Sequence, residues 1–405
     1  MNRLLPDAPW LHREGLTALV AALGGRDGMT RYVGGAVRDT LLGHAVSDID
    51  CATILLPETV MARIGQAGFK AVPTGMAHGT VTAVLPGGNV EVTTLRRDIS
   101  TDGRRATVEF SDDWREDASR RDFTINALYA DPVTYEVIDF FGGLDDLKAG
   151  RIRFIGDPLT RIAEDHLRIL RFFRFHARFG QGAPDPAGLA ACTARANDLM
   201  ALSRERIAEE LLKLLALPDP HETVAMMHAA GIFAPVLPEI DAHGVALLDR
   251  SIRREQLVKA SPDAIRRLAA LLPREPELVV RVAGRLRLSN AMRRRLELLA
   301  SPPPPGEAAI PLAYRHPGAA IDLLLLSDSD DAELQAAASI INGWNRPTFP
   351  LKGGDLVALG LRPGPQVAAA LQAIESDWIA AGFPNHEWVE RAARATVDQA
   401  LRERQ

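Results

Sequence analysis

The sequence predicts an α+β protein: a mixed head of strands and helices over about the first 150 residues, then helices almost throughout. Three observations carry this. Val46–Thr53, Gly79–Leu85 and Asn89–Leu95 alternate apolar with polar residues or are rich in β-branched ones, as half-buried strands do. Pro86-Gly87-Gly88 separates the last two and marks a hairpin turn. From about residue 156 onward the apolar spacing becomes helical.

The helical part can be punctuated residue by residue. Asp157-Pro158 is a helix start, with Asp as N-cap and Pro at the first position. The pattern predicts one helix from there to Phe179, stopped by Gly180 and followed by a Gly/Ala/Pro-rich loop at 181–188. Ser203 opens a further amphipathic helix through Leu217, and Pro218-Asp219-Pro220 breaks the chain. Ser301-Pro-Pro-Pro-Pro-Gly306 reads as a stiff linker. A last helical region follows, interrupted by Pro and Gly at 347–365. There is no internal repeat and no long low-complexity tract.

Bulk properties narrow the class. With 405 residues, 47% hydrophobic and 24% charged, the chain has material for two to four domains with real cores. No long apolar run opens the chain and none reaches about 20 residues, so neither a signal peptide nor a membrane span is expected. Two cysteines, Cys51 and Cys192, exclude a disulfide framework and a cysteine-rich zinc site. A reducing compartment, and hence a cytoplasmic protein, is the expectation. The net charge of -5 does not suggest a polyanion binder, but its distribution does. Residues 251–300 carry 12 Lys/Arg against 5 Asp/Glu, and 151–178 carry 7 Arg against 3 acids. Such polarity either presents a basic face to phosphates or marks solvated helix faces.

The chemistry-bearing residues open with Gly34-Gly35, followed by Arg38 and Asp39. Without Cβ atoms, Gly34 and Gly35 let the backbone approach a triphosphate and point N–H groups at it. The helix that follows adds its positive end, and Arg38 supplies charge one turn later. Asp48 and Asp50 flank Ile49 in the first predicted strand. Residues i and i+2 of a strand share a face, so both carboxylates can reach one metal site. Hard oxygen donors suit Mg²⁺, which takes one or two carboxylates plus substrate phosphates. Glu91, alternating with apolar residues in its strand, is either a third carboxylate of that site or an exposed strand residue. A phosphate cradle beside paired acids points to metal-assisted chemistry on a nucleotide.

Four motifs in order then carry a resemblance: Gly34-Gly-Ala-Val-Arg-Asp39, Asp48-Ile-Asp50, Arg120-Arg-Asp-Phe-Thr-Ile-Asn-Ala-Leu128 and Asp139-Phe-Phe-Gly-Gly143. Together the chain resembles the class II nucleotidyltransferases, the bacterial CCA-adding enzymes and poly(A) polymerases. The resemblance spans essentially the whole chain and is most specific over 31–215. It implies a nucleotidyltransferase head similar to that of DNA polymerase beta (1–155), then an all-α neck that reads the base (156–217), a body (218–300) and a tail (301–405) that bind tRNA. It implies CTP, ATP and tRNA as substrates, Mg²⁺ as cofactor, and no obligate protein partner.

The resemblance also assigns roles. Arg121 is the matching nucleotide-contacting arginine. By their own chemistry Asp122 and Asn126 either recognise a ribose edge, Asp122 accepting a hydrogen bond from the 2′-hydroxyl, or belong to a structural Arg–Asp pair that holds Phe123 and Ile125 against the core. Residues 96–105 resemble the loop that gates the change from C to A addition. Glu164, Asp165, Arg168 and Arg171 match the motif that selects the incoming base. By spacing alone these four are an ordinary ion-pair ladder on one helix face. The basic segment 251–300, with Arg293-Arg294-Arg295, is the candidate contact with the tRNA backbone. The activity implied is template-independent addition of C, C and A to a tRNA 3′ end. The alternatives are a poly(A) polymerase, a half-enzyme adding only CC or only A, and an idle tRNA-binding module, against which the intact carboxylate pair argues.

Overall fold

The computed structural model describes residues 3–102 and 105–402, and the chain divides into two compact units. The first comprises residues 1–252 and 262–297, the second 253–261 and 298–405.

The head is built on a seven-stranded sheet. Its strands are β1 (Thr30–Val33), β2 (Ile49–Thr53), β3 (Lys70–Gly75), β4 (Thr80–Leu85) and β5 (Gly88–Thr94), joined later by β8 (Leu128–Ala130) and β9 (Val137–Asp139). The spatial order is β3-β4-β5-β2-β1-β8-β9. Every pair is antiparallel except β2 with β5, so the sheet is mixed. The intervening β6 (Arg96–Asp102) and β7 (Arg105–Phe110) pair with each other as a separate ribbon. They occupy the segment 96–105 read from the sequence as a loop; residues 103–104 of it lie outside the described residues. The predicted hairpin is present: Leu85 pairs with Gly88 around Pro86 and Gly87. Gly88 has φ +123°, where a side chain would be strained.

The helices of the first unit are α1 (Leu16–Ala22), α2 (Gly35–Leu41), α3 (Pro57–Gln66), α4 (Trp114–Ser119), α5 (Gly143–Lys148), α6 (Pro158–Glu164), α7 (Arg168–Phe179), α8 (Pro186–Ala194), α9 (Arg204–Leu215), α10 (His221–Ala229), α12 (Ala264–Leu271) and α13 (Pro276–Arg285). Two more, α11 (Ala242–Val258) and α14 (Asn290–Leu299), run from one unit into the other. The second unit continues with α15 (Ala309–Arg315), α16 (Ala320–Leu326), α17 (Asp331–Asn342), α18 (Gly353–Ala358), α19 (Pro365–Ala380) and α20 (His386–Arg402).

Two expectations are corrected. The single helix from 158 to 179 is two helices. Its start is as predicted, with the Asp157 side chain accepting from the Thr160 N–H and Pro158 at the first position. The chain then leaves the helix at Asp165, which is extended at φ −151° and ψ 106°. The Asp165 carboxylate accepts from the Leu167 N–H at 3.1 Å, and helix resumes at Arg168. Glu164, Asp165, Arg168 and Arg171 therefore do not share one continuous helix face. The strand predicted from Val46 begins only at Ile49, so Asp48 sits just before β2 and Asp50 within it. In the second unit, α18 forms inside the Pro/Gly-rich stretch because Leu356 is fully buried against Val389, Ala393 and Trp378.

Packing fixes α7 on the head. Phe172 stacks on Phe154 at 5.6 Å, and Phe123 lies 4.9 Å from Phe154 and 5.3 Å from Phe175. Each such ring contributes roughly 1.5–3 kcal/mol on burial. The segment that carries Asp122 is thereby locked to the helix that carries Arg168 and Arg171.

The basic segment 251–300 is not one solvated face. Arg254 and Arg267 are each 1% exposed. Arg267 donates to the carbonyls of Leu215 (2.7 Å), Leu217 and Pro218 (2.9 Å), closing the C-terminal end of α9. Arg254 does the same beyond α16, donating to Leu325, Ser327 and Ser329 carbonyls and to Asp331. Arg295, in the run read as a tRNA contact, is paired with Asp263 at 2.8 Å. Arg293 and Arg294 are exposed.

Candidate active site

One cleft of about 730 Å³ gathers most of the predicted residues. Gly34, Gly35, Arg38, Asp48, Asp50, Arg121, Asp122, Asn126, Asp165, Arg168 and Arg171 all line it. Glu164 and Glu91 do not line it. Glu164 acts from behind, its carboxylate 2.6 Å from an Arg168 Nη and paired also with Arg161. Glu91 is exposed, opposite Asp50 in the β2–β5 register.

The glycine turn ends β1 and opens α2. Gly34 has φ +70° and ψ −123°, a conformation open essentially to glycine alone. A Cβ there would meet Arg121 Nη1 at 3.5 Å, so the missing side chain leaves backbone and guanidinium facing the same space. Arg38, 5% exposed, donates to Asp39 (2.8 Å) and to Asn126 Oδ1 (2.5 Å) and lies 4.2 Å over the Phe179 ring.

The carboxylates differ in environment. Asp48 is exposed and accepts from Ser47 Oγ at 2.8 Å. Burial, with Glu91 and then Asp48 as like charges, pushes Asp50 up to about 6 against the pull of Arg121. Such a group favours a bound cation, which would relieve both penalties. Among the described residues no cluster of three or more His, Cys, Asp or Glu side chains could hold a metal by itself. Two carboxylates open to a cleft are instead a donor set of the kind that substrate phosphates complete around Mg²⁺.

Asp117, which stands behind the cleft and supports two residues that line it, is missed by the sequence reading. Only 1% exposed, it binds Arg120 at 2.8 Å and Arg121 at 3.2 Å and accepts from the Tyr129 hydroxyl at 2.7 Å. Burial opposes its ionisation, but Arg121 and Arg120 win and hold the carboxyl at about 2. Its spacings of three and four residues from Arg120 and Arg121 were the available signal. Asp122, likewise buried, accepts from Asn126 Nδ2 (2.9 Å) and the Phe123 N–H (2.8 Å) on one oxygen and from Arg171 (2.7 Å) on the other. Against the cost of burial, Arg171 keeps it below the usual carboxylate range.

At the other wall Arg168 is clamped by Glu164 and by the carbonyls of Arg161 (2.9 Å) and Arg120 (3.0 Å). Asp165 is held not by Arg168 but by Arg206 of α9, at 2.8 Å. The sequence marks Arg206 only as part of an amphipathic helix. Seven arginines (38, 96, 120, 121, 168, 171 and 178) line the cleft against five aspartates. The arrangement suits a multiply charged anion carrying a flat polar group.

Comparison with known proteins gives a consistent result. The poly A polymerase head domain matches residues 30–153, and the probable RNA- and SrmB-binding site of polymerase A matches 183–243. The mitochondrial CCA tRNA nucleotidyltransferase 1 of Mus musculus is 33% identical over 396 residues, covering 93% of this chain and 89% of that one. The CCA-adding enzyme of Lacticaseibacillus paracasei is 33% identical over 367 residues, covering 87% and 89%. The Bacillus stearothermophilus CCA-adding enzyme, solved in complex with CTP, superposes with a TM-score of 0.75 at 26% identity over 98% of this chain and 99% of that one. The Thermotoga maritima enzyme, solved with a tRNA, shares the fold at a TM-score of 0.69 and 21% identity, over 96% of each chain.

Proposed function

Since the chain belongs to the family of CCA-adding tRNA nucleotidyltransferases, we propose that it adds C, C and A to the 3′ end of tRNA from CTP and ATP. The 3′-hydroxyl of the RNA attacks the α-phosphate, the new phosphodiester forms, and pyrophosphate leaves. The observation that carries this reading is that Asp48 and Asp50 line the same cleft as Asp165 and Arg168.

Asp48 and Asp50 would hold Mg²⁺, with Glu91 beside Asp50 in the strand register. When bound, Mg²⁺ lowers the pKa of the attacking hydroxyl and neutralises charge on the pyrophosphate. The chain supplies the rest. Gly34 and Gly35 bring backbone N–H groups to the triphosphate, with Arg38 and Arg121 as counter-charges. Asp122, kept ionised by Arg171 and steadied by Asn126, accepts from the ribose 2′-hydroxyl and so disfavours deoxynucleotides.

Base choice follows from donor and acceptor matching. Cytosine and adenine both place an exocyclic amine beside a ring-nitrogen acceptor. Asp165 accepts from the amine, and Arg168, oriented by Glu164, donates to the ring nitrogen. Uracil and guanine place a carbonyl and an N–H there, so both contacts mismatch. Each unmade buried hydrogen bond costs roughly 1–3 kcal/mol.

The division of labour we propose is a catalytic head (1–155), a base-reading neck (156–217), and a body (218–300) and tail (301–405) that engage tRNA. The segment 96–105 would gate the change from C to A. The buried free thiols of Cys51 and Cys192 suit a reducing, cytoplasmic setting. Among the described residues no helix is long and apolar enough to cross a membrane.

A second reading, poly(A) polymerase, is favoured by the match of residues 30–153 to the poly A polymerase head domain. A tRNA lacking its 3′ end, incubated with Mg²⁺ and each NTP, separates the two. Addition of C, C, A followed by arrest supports the proposal. Runaway A addition, or no use of CTP, overturns it, and equal use of all four NTPs refutes the roles of Asp165 and Arg168.

A further inference from the structure

Four side chains of α7 that line the cleft fall at i, i+3, i+7 and i+10: Arg168, Arg171, Phe175 and Arg178. They make one stripe along the helix, about 15 Å from first to last at 1.5 Å per residue. Its first member belongs to the base-reading end. Its last, Arg178, sits against α2, the helix that the glycine turn opens, and belongs to none of the motifs above.

Charge at that end does not balance locally. Asp39 takes Arg38 at 2.7 Å on one oxygen and Arg178 at 3.4 Å on the other. One carboxylate thus serves two guanidiniums. Among the described residues Arg178 has no other ion pair, and its guanidinium also lies 4.8 Å from the Phe179 ring centroid. Arg38 feels the crowding, because after burial the repulsion of Arg178 also works to lower its pKa, opposed by Asp39 and, more weakly, by Asp122. Arg178 is still 40% exposed and borders the cleft, so an incoming anion can reach it.

We propose that Arg178 binds the terminal phosphates of the incoming nucleoside triphosphate, opposite in the cleft to the base-reading pair. The inference rests on the nucleotidyltransferase reading above. It makes α7 a ruler for the substrate: Arg168 at the base, Arg171 at the ribose through Asp122, Arg178 at the far phosphates. The anion supplies the negative charge that Asp39 alone cannot provide to two arginines, and the same contact releases with pyrophosphate after transfer.

The test measures equilibrium binding of CTP and CMP to the full chain with Mg²⁺ and no RNA, so that nothing turns over. Arg178→Gln is expected to weaken CTP about tenfold and to leave CMP unchanged, the loss of one charge-assisted contact. Arg178→Lys should fall between wild type and Gln. Equal CTP affinity in wild type and Arg178→Gln overturns the proposal. So does an equal loss for CMP, the mark of a merely structural role. If the unmodified chain binds CTP but extends no tRNA, the function proposal fails and this one does not. If it completes tRNA and Arg178→Gln binds CTP normally, only this one fails.

Discussion

Arg206 holds Asp165 by both carboxylate oxygens, its Nη2 standing 2.8 Å from Oδ2 and 3.1 Å from Oδ1. The carboxylate lies in the break between α6 and α7, where no helical backbone fixes its direction. A cation on a neighbouring helix does so, together with the Leu167 N–H.

Arg206→Ala should therefore loosen base choice. Discrimination of CTP and ATP against UTP and GTP is expected to fall about tenfold, one hydrogen bond's worth. Stability should change by less than about 1 kcal/mol, because both groups are partly exposed. Single-addition rates with each NTP measure the first and urea melts the second; unchanged discrimination would sink the idea.

Asp50 predicts a pH signature. Its folded pKa of about 6 lies above the ordinary 3.8, so the folded state takes up its proton first. That stabilises the protein fully below the ordinary value, and the contribution is lost as pH rises through 6. In chelator, Asp50→Asn should be more stable than wild type near neutrality by roughly 1–2 kcal/mol, and the gap should close below about pH 4. Transferase activity should be abolished at every pH. A gap that widens on acidification would contradict the assignment.

Asp117 has the opposite sign. Held at about 2, its contribution is present above the ordinary carboxylate value and disappears as pH falls toward 2. Asp117→Ala leaves Arg121 and the Tyr129 hydroxyl without their shared partner and should cost about 3–5 kcal/mol. Acid titration of both proteins by circular dichroism should show wild type losing this advantage between about pH 4 and 2. Equal stability near neutrality would refute the role.

The body arginines should separate into two classes. Arg267→Met orphans three carbonyls and should destabilise by about 2–4 kcal/mol, with unchanged tRNA affinity per folded molecule. Arg293→Ala with Arg294→Ala should leave the melt unchanged, weaken tRNA binding and flatten its salt dependence by about 1–2 in logarithmic slope. Filter binding over a salt series reads the latter; a reversed pattern would overturn the division.

Much of this was legible in the sequence because its causes are local. The hairpin at Pro86-Gly87, the Asp157 cap and the carboxylates at 48 and 50 depend on neighbours a few residues away. The break at Asp165 was not legible, because beside the local Leu167 N–H its carboxylate is held by a residue 41 positions downstream. The burial of Arg254 and Arg267 escaped for the same reason: nothing in a run of charged residues says that three carbonyls await one of them. Asp117 was within reach of helical spacing and is missed only if Arg120 and Arg121 are read without the helix before them.

The carbonyl cages around Arg254 and Arg267 bear on how the protein can be altered. A redesign that trims positive charge, whether to aid crystallisation or to curb adhesion to polyanions, would rank these two arginines with the rest of their segment. They behave as interior tie-rods, and such a redesign would collapse the scaffold while leaving its outer potential almost untouched. The useful unit for engineering here is the guanidinium that meets water, counted after folding.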